Sequence, residues 1–292
     1  MWTLLILTFP LKKSIIKKNR EEVLLVKKKL ITTPLRYPGG KSKALNQIVP
    51  MIPEFEEFRE PFVGGGSVFI YLKQNYSDKK FWINDFNYDL YCLWSQSQNN
   101  IQNLISEINK TKNSFIDGRQ LYNFLMEQRN EDEISRAVRF FILNRITFSG
   151  TVDSGGYSKK AFEGRFTDSS IKRLELVESV IKDTHITNLD YEDLLNKDGK
   201  DVFVFLDPPY LSSKKSKLYG KNGSLHVNFD HERFANAVKN CKHKWLITYD
   251  DSPEIRKLFS FAKMKEWDLQ YAMNNVNSDS ANIGKELFIY NY

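Results

Sequence analysis

The sequence has few residues from which a metal centre or a disulfide framework could be built. Among 292 residues there are four histidines and two cysteines, Cys92 and Cys241, which lie far apart. Neither an H-E-x-x-H nor a Cys-x-x-Cys spacing occurs, so we expect no structural or catalytic metal site. Two isolated cysteines also suit the reducing conditions of the cytoplasm, where we expect the chain to be located.

Long apolar segments are also scarce. The apolar stretch at residues 1–11 is far shorter than the roughly 20 residues that span a bilayer. It is followed by Lys12, Lys13, Lys17 and Lys18, whereas a secretory signal carries its positive charges first. We interpret residues 1–33 as an N-terminal extension outside the main fold, and we expect no membrane partner.

The chain does have an excess of positive charge. Lysine and arginine outnumber the acidic residues by 43 to 36, a formal net charge of +7, and the isoelectric point is about 9.1. This balance favours a polyanionic partner, because a cation that neutralises a phosphate releases a counterion. Many proteins without a nucleic-acid partner are equally basic, so charge alone leaves both classes open.

The hydrophobic pattern predicts a sheet that is covered on both faces. Six strand-like runs occur, at residues 58–63, 80–83, 202–206, 245–248, 263–273 and 286–292. The runs are continuous rather than alternating, and helical stretches separate them, which indicates an α/β fold with a Rossmann-like doubly wound sheet. The first four runs end in small or acidic residues, where such sheets bind ligands.

The middle of the chain has a different pattern. Three helical stretches are predicted there, at residues 100–110, 119–128 and 132–147. A polar, glycine-rich segment, 148–157, follows them. So long an interruption between two strands of one sheet predicts an inserted helical subdomain with a loop or hairpin at its tip. We assign residues 97–184 to the insert, and 34–96 with 185–292 to the main domain.

Two motifs point to a nucleoside-containing cofactor. Gly64-Gly65-Gly66 follows the first predicted strand, and Asp85 ends the next one. A glycine turn lets the backbone approach a ligand closely, and an acid about 20 residues further on can accept both ribose hydroxyls. Each feature has a purely structural alternative, a turn without a ligand or an acid that caps a helix. There is no Gly-x-x-x-x-Gly-Lys-Ser/Thr pattern, which disfavours an ATPase loop.

The sharpest motif is Asp207-Pro208-Pro209-Tyr210, directly after a continuous apolar run. Two prolines remove two backbone donors and stiffen the turn. The Asp207 carboxylate and the Pro208 carbonyl can then accept both hydrogens of one amine, which frees its lone pair for attack on an electrophilic methyl group. Tyr210 offers a stacking face worth about 1–3 kcal/mol to a base, and a base in a duplex must be flipped out to reach it. The structural alternative is a simple proline turn.

In this order the motifs resemble those of the Dam-type DNA adenine methyltransferases, over roughly residues 34–292. The resemblance implies a methyltransferase sheet with an inserted target-recognition subdomain. It also implies S-adenosylmethionine as methyl donor and site-specific transfer to the exocyclic amine of adenine in double-stranded DNA. The biological role would be restriction–modification or Dam-like. Residues 1–33 have no counterpart in the family.

The resemblance assigns roles residue by residue. The catalytic residues would be Asp207, Pro208 and Tyr210. The cofactor would be bound by Tyr37, Gly40, Lys41, Phe62, Gly64, Gly66, Asp85 and Asp207. The family often has Trp where this chain has Tyr37, a change that need only alter packing. Asp190-Tyr191 is a weaker match to the motif that lines the adenine of the cofactor.

DNA contacts are expected from the insert and from the loop after the catalytic turn. Asn144-Arg145 and the Ser-Gly and Gly-Gly pairs after it resemble the family's loop region that faces DNA. The candidate DNA-binding residues are Arg145, Ser149, Lys159, Lys160, Lys214 and Lys215. Polar side chains at the tip, 149–160, could read base edges. For the lysine-rich residues 212–223 we hypothesise a mobile loop that orders against phosphates; a solvated loop is the alternative.

Three alternatives stay open. An amino-methyltransferase could act on cytosine in DNA or on adenine in RNA. The chain could also be a non-catalytic DNA-binding regulator on the same scaffold, although intact acceptor, aromatic and glycine motifs argue against that. A nicotinamide-dependent enzyme would have no use for Asp-Pro-Pro-Tyr. For the favoured reaction we expect direct transfer without a covalent intermediate, a monomer, and a cognate restriction endonuclease that acts on the same site without a stable complex.

Overall fold

The computed structural model describes residues 30–37, 39–128, 132–211, 229–270 and 283–292. Most of the predicted N-terminal extension therefore lies outside the described residues, as do Lys214, Lys215 and the loop that contains them. Within the described start of the chain, Ile31 exchanges two hydrogen bonds with the side-chain amide of Gln74, at 2.8 and 2.9 Å. No helix in these described ranges has the length and apolar character needed to cross a bilayer.

The described residues form a seven-stranded sheet in the order β3-β2-β1-β4-β5-β7-β6. The strands are β1 (Glu57–Glu60), β2 (Lys80–Asn84), β3 (His185–Thr187), β4 (Val202–Leu206), β5 (Lys244–Asp250), β6 (Lys263–Gln270) and β7 (Ile283–Tyr290). Strands β3, β2, β1, β4 and β5 are parallel, whereas β7 runs antiparallel to both β5 and β6. From β1 the chain moves outward to β2 and β3 and then returns to β4. The strand order thus reverses between β1 and β4, where doubly wound sheets bind ligands.

Eleven α-helices are described. They are α1 (Leu45–Ile48), α2 (Ser67–Asn75), α3 (Tyr88–Asn99), α4 (Ile101–Asn113), α5 (Gly118–Glu127), α6 (Glu133–Ile146), α7 (Lys159–Arg165), α8 (Asp168–Ile181), α9 (Tyr191–Asn196), α10 (His231–Asn240) and α11 (Pro253–Leu258). Several begin at a side chain that caps the free amides of the first turn. Asn87 accepts hydrogen bonds from two amides of α3, and Asp230 does the same for α10.

Both faces of the sheet are buried, which explains the continuous apolar runs. In β4, Phe203 and Phe205 belong to one apolar cluster, with α2, α3, α4, α6 and α8. Val202, Val204 and Leu206 belong to a second cluster, with α9, α10 and α11. The predicted α/β class is confirmed. Strand β3 escaped sequence analysis because its three residues form no apolar run.

The helices of the predicted insert do not pack apart from the sheet. Helix α6 contributes buried residues to the same apolar cluster as Phe58 of β1 and Phe203 of β4. The predicted boundary at residue 97 falls inside α3, so that helix continues from the sheet into the insert. The division into a catalytic domain and a recognition subdomain stays a prediction, because the helices of the predicted insert share an apolar cluster with the sheet.

Residues 147–157, called the tip below, form a closed loop that overlaps the predicted tip region 149–160. Thr147 and Tyr157 form an isolated antiparallel bridge, and the Phe148 amide donates to the Gly156 carbonyl at 3.0 Å. Ser149 and Val152 have left-handed φ values of 53° and 49°, which are uncommon for residues other than glycine.

Candidate active site

Asp207 lies at the carboxyl end of β4 with both carboxylate oxygens engaged. Its Oδ1 accepts a hydrogen bond from the Thr248 hydroxyl at 2.8 Å, and its Oδ2 lies 2.7 Å from Lys41 Nζ. The Lys41 side chain is only 4% exposed and also donates to the Gly39 carbonyl at 2.9 Å. The predicted catalytic carboxylate is therefore fixed on one side, while a nitrogen donor lies against the other.

The rest of the turn is held from β5 and β7. The Tyr249 hydroxyl donates to the Pro209 carbonyl at 3.3 Å. The Tyr210 hydroxyl donates to Glu286 Oε2 at 2.9 Å, and Glu286 is fully buried. The Tyr210 ring lies 5.1 Å from Lys41 Nζ, within cation–π range. These contacts orient the Asp-Pro-Pro-Tyr turn through neighbouring strands.

Sequence analysis missed the roles of Thr248, Tyr249 and Glu286. Thr248 is recognisable as a polar residue within a largely apolar strand, whereas Glu286 follows Lys285 at the start of an apolar run and has no such signal. Thr248 and Glu286 are both fully buried, and buried polar groups in folded proteins almost always have a hydrogen-bonding partner. A search for such an interruption in β5 would have found Thr248.

The glycine loop lies directly beneath Tyr37, so the structure brings these two predicted motifs together. Gly64 has a φ of 47°, and a Cβ atom there would lie 2.9 Å from the Tyr37 ring. The Trp94 indole donates to the Gly64 carbonyl at 3.2 Å. Gly66, with a φ of 65°, precedes the first turn of α2. A residue with a side chain at Gly64 would displace Tyr37, which explains why the turn is built from glycine.

Asp85 ends β2 beside this loop. Its Oδ2 accepts the Gly64 amide and its Oδ1 accepts the Asn87 amide, both at 3.0 Å. Burial raises the pKa of Asp85 to about 6, although the two backbone hydrogen bonds act in the opposite direction. The next residue, Phe86, is 65% exposed at the same edge and was not selected from the sequence.

Glu60, at the end of β1, is a third carboxyl group in this region. It is almost fully buried and accepts the Phe69 amide of α2 at 3.0 Å. Burial, and next the charge of Asp207, raise the pKa of Glu60 well above its usual range. Three carboxyl groups therefore lie near the point where the strand order reverses, with Lys41 beside one of them.

Phe62, a predicted cofactor contact, packs against other aromatic rings. It is half-buried, and its ring lies 5.5 Å from Tyr191 and 5.8 Å from Phe234. Asp190 caps α9 and pairs with Arg233 at 3.1 Å. Phe62 and Tyr191 thus form one wall beside the glycine loop, and Asp190 serves the start of α9.

The prediction for Arg145 needs correction. Its side chain is 5% exposed, and its guanidinium donates to the Arg165 carbonyl at 2.8 Å and to the Pro34 carbonyl at 3.1 Å. Burial, and next the charge of Arg36, lower its pKa to about 10. Asn144 is fully buried as well. In this structure the pair ties segments of the chain together from inside the fold.

Two of the other candidates in the insert are exposed. Lys159 is 79% exposed and lies 3.8 Å from Glu163, and Lys160 is exposed on the same helix. Ser149 is half-buried at the tip, next to Phe148, which is 69% exposed. Phe148 was not selected from the sequence, since an isolated aromatic residue does not reveal its exposure.

Among the described residues, no group of three or more His, Cys, Asp or Glu side chains could hold a metal ion. Cys92 and Cys241 are both buried. Burial raises the pKa of the Cys92 thiol to about 12 and also raises the pKa of Cys241. Neither thiol is placed to act as a nucleophile.

The sheet topology, the glycine loop and the Asp-Pro-Pro-Tyr turn together define a Rossmann-like methyltransferase. The family model for the D12 class N6 adenine-specific DNA methyltransferases matches residues 37–273, and the chain belongs to that family. The family resemblance inferred from the motifs is thereby confirmed, with adenine in DNA as the target. S-adenosylmethionine is the methyl donor of this class of enzyme.

Individual relatives agree with the family. The chain is 29% identical over 217 residues to the type II methyltransferase M.MjaIII of Methanocaldococcus jannaschii, covering 67% of this chain and 75% of that protein. It is 27% identical to the type II methyltransferase M1.LlaDCHI of Lactococcus lactis subsp. cremoris, covering 92% and 99%. It is 25% identical to a DNA adenine methylase of Vibrio cholerae, covering 79% and 85%.

Proposed function

We propose that the chain methylates adenine at one short motif in duplex DNA, with Asp207, Pro208 and Tyr210 as its catalytic residues. The observation that carries this proposal is the geometry of Asp207. Thr248 fixes one oxygen, and the other lies 2.7 Å from a nitrogen donor, Lys41 Nζ. An amine of a flipped base that replaced Lys41 there would donate one hydrogen to Asp207 and the other to the Pro208 carbonyl.

The chemistry of the chain's own groups follows from this placement. Accepting both amine hydrogens localises the nitrogen lone pair. The amine would then attack the methyl group of the donor without a covalent enzyme intermediate. The methyl–sulfur bond would break to leave a neutral thioether, and one amine hydrogen would leave as a proton. The Tyr210 ring offers the base a stacking face, and Glu286 holds its hydroxyl in place. Until an amine replaces it there, Lys41 Nζ donates to the Asp207 carboxylate.

The residues beside the turn fit S-adenosylmethionine. A glycine loop that no Cβ could occupy, a carboxylate at the next strand end and an exposed aromatic residue suit its amino acid, ribose and adenine parts. When bound, the cofactor supplies an electrophilic methyl group on a sulfonium. We assign Asp85 to the ribose hydroxyls and Phe86 to the adenine face. The remaining contacts are assigned to Tyr37, Gly40, Lys41, Phe62, Gly64 and Gly66.

The tip of the insert is the proposed DNA-reading element. Phe148 and Ser149 lie at its outer end, and Lys159 and Lys160 begin the helix that follows. Exposed cations position a protein on phosphates, while loop side chains contact base edges. In this assignment residues 97–184 form the recognition subdomain, and Arg145 supports it from inside.

The biological role is proposed from the relatives. M.MjaIII and M1.LlaDCHI carry the name type II methyltransferase, and the relative from Streptococcus sanguinis carries the name modification methylase StsI. These names favour a restriction–modification role with a cognate endonuclease on the same DNA site. The Vibrio cholerae relative favours a Dam-like role instead. We propose a monomer in either case.

The test is expression of the full chain in a host that lacks adenine methylation, followed by mapping of modified bases across the host genome. We expect methylated adenine in one short motif, and none in cells that express Asp207→Ala. Methylated cytosine would overturn the adenine assignment. Unmodified DNA with folded, cofactor-bound protein would favour an RNA target or a regulator.

A further inference from the structure

Asn144 joins two segments that are 108 residues apart in the chain. Its Oδ1 accepts the Arg36 amide at 3.0 Å, and its Nδ2 donates to the Arg36 carbonyl at 3.0 Å. The same Nδ2 donates to the Gly150 carbonyl at 3.0 Å. An asparagine amide has one carbonyl and two N–H donors, and here all three are used on backbone groups.

Gly150 touches the same segment directly. Its φ is 76°, and a Cβ atom there would lie 2.1 Å from the Arg36 carbonyl oxygen. Any other residue would push the tip of the insert away from Arg36. The Arg36 guanidinium also donates to the Thr147 carbonyl at 3.4 Å, so the tip and residue 36 meet at several points.

These contacts hold the tip in an unusual conformation. Ser149 and Val152 both have left-handed φ values, which persist only where the surroundings over-determine them. Besides the bond from Asn144 to Gly150, Arg139 pairs with Asp153 at 2.5 Å. The exposed side of the loop, with Phe148 and Ser149, is therefore presented from a fixed frame.

The contacts of Asn144 and Gly150 with Arg36, called the junction below, lead to the cofactor side of the proposed active site. Tyr37 follows Arg36. A Cβ atom at Gly64 would lie 2.9 Å from the Tyr37 ring, and one at Gly65 would lie 2.9 Å from the Tyr37 Cβ atom. A ligand along the glycine loop must therefore fit against Tyr37. A continuous set of contacts runs from the loop through Tyr37 and Arg36 to Asn144 and Gly150.

We propose that Asn144 is a positioning residue that couples cofactor binding to DNA recognition. Cofactor against Tyr37 favours the position of Arg36 in which Asn144 and Gly150 hold the tip ready for DNA. By linkage, DNA then raises the affinity for cofactor by the same factor. This inference rests on the proposed function, because it takes the tip to be the DNA-reading element.

The test measures the coupling factor in the full chain. A short duplex carrying the motif found by genome mapping is titrated with and without S-adenosylhomocysteine. S-adenosylhomocysteine is then titrated with and without the duplex. In the wild-type protein we expect each ligand to strengthen the other by about fivefold or more, and by equal factors.

Two variants break the junction from opposite sides. Asn144→Leu removes all three hydrogen bonds, and Gly150→Ala keeps Asn144 but forces the tip from Arg36. In both we expect a coupling factor close to one, with cofactor affinity in the absence of DNA close to the wild-type value. Asn144→Asp keeps the acceptor for the Arg36 amide and loses both donors, so we expect an intermediate factor. Should Asn144→Leu fail to fold, Gly150→Ala supplies the second measurement, because it leaves Asn144 in place.

Gly164→Ala is the matched control, because a Cβ atom there would meet nothing within 4 Å. It should keep the wild-type factor. A wild-type factor of one, or wild-type coupling in folded Gly150→Ala and Asn144→Asp, would overturn the inference while leaving methylation intact. A wild-type chain that methylates no motif would overturn the proposed function and this inference with it.

Discussion

At the edge of the sheet, Asp85 and Asp207 are half-buried residues, whereas in the insert Asn144 and Arg145 are buried and donate to backbone carbonyls. Both pairs belong to motifs that the sequence displays clearly. At the sheet edge, the strand ends place the polar groups of the motif residues at the proposed ligand site. In the insert, motif residues hold the scaffold, and their neighbours Phe148 and Ser149 face outward. A recognisable motif therefore marks a position under physical constraint, which need not be a contact with a partner.

The largest effect is expected at Asp207. Asp207→Ala removes the acceptor that holds the amine, and we expect the single-turnover rate to fall at least 10²- to 10³-fold, the order seen when one preorganised hydrogen-bonding group is lost. Cofactor binding should persist in part. Asp193→Ala on α9, an exposed acid, is the control and should retain activity. Full activity in Asp207→Ala would refute the proposed mechanism.

A substitution at Thr248 tests whether its buried hydrogen bond to the Asp207 carboxylate contributes to the rate. Thr248→Val conserves shape but removes the hydroxyl that donates to Asp207 Oδ1. Hydrogen bonds to charged groups contribute about 1.5–3 kcal/mol, so we expect kcat to fall about 10- to 100-fold with little change in KM. Thr248→Ser should retain most of the rate. Equal kcat in the valine and serine variants would show that the hydroxyl does not orient Asp207.

Substitutions at Arg145 and Lys160 compare a buried residue of the insert with an exposed one. Arg145→Met leaves the Arg165 and Pro34 carbonyls without their donor, and we expect the free energy of unfolding in urea to fall by about 1–3 kcal/mol. Lys160→Ala should leave stability unchanged and reduce the salt dependence of DNA binding by about one charge. If Arg145→Met kept full stability and reduced the salt dependence of DNA binding, Arg145 would be assigned to a DNA contact.

We expect the smallest effect from pH, which should change cofactor affinity little near neutrality. Because burial raises the pKa of Asp85 to about 6, its carboxyl group takes up a proton as the pH falls through that value. A neutral acid accepts hydroxyl hydrogens less strongly than a carboxylate does. We expect the Kd for S-adenosylhomocysteine to increase below about pH 6 and to level off above it. Asp85→Asn should bind weakly with a flatter profile; an unchanged slope would assign the titration to another group.

Strand β4 illustrates how much could be read in advance. Its bounds, Val202–Leu206, coincide with the predicted apolar run, because both faces of that strand are buried. Strand β3 shows the limit. Its residues, His185–Thr187, are exposed or half-buried, and their place at the sheet edge comes from pairing with β2 rather than from hydrophobicity.

Arg145 shows a second limit. An arginine at the end of a helix can donate to phosphates or to backbone carbonyls, since its guanidinium suits both acceptors. Only the positions of Pro34 and Arg165 decide between them. The same holds for Phe148, whose exposure depends on how the tip folds back on Arg36.

The sequence by itself determined the class of fold, the order of the motifs and the kind of chemistry at Asp207-Pro208-Pro209-Tyr210. Those properties depend on local features: apolar runs, glycine and proline conformations, and the acceptors carried by one short segment. The tertiary structure alone decided that Lys41 pairs with Asp207 across 166 residues and that Asn144 holds Arg36 across 108. Separation along the chain does not specify separation in space, so contacts of this kind exist only once the sheet and the helices have packed.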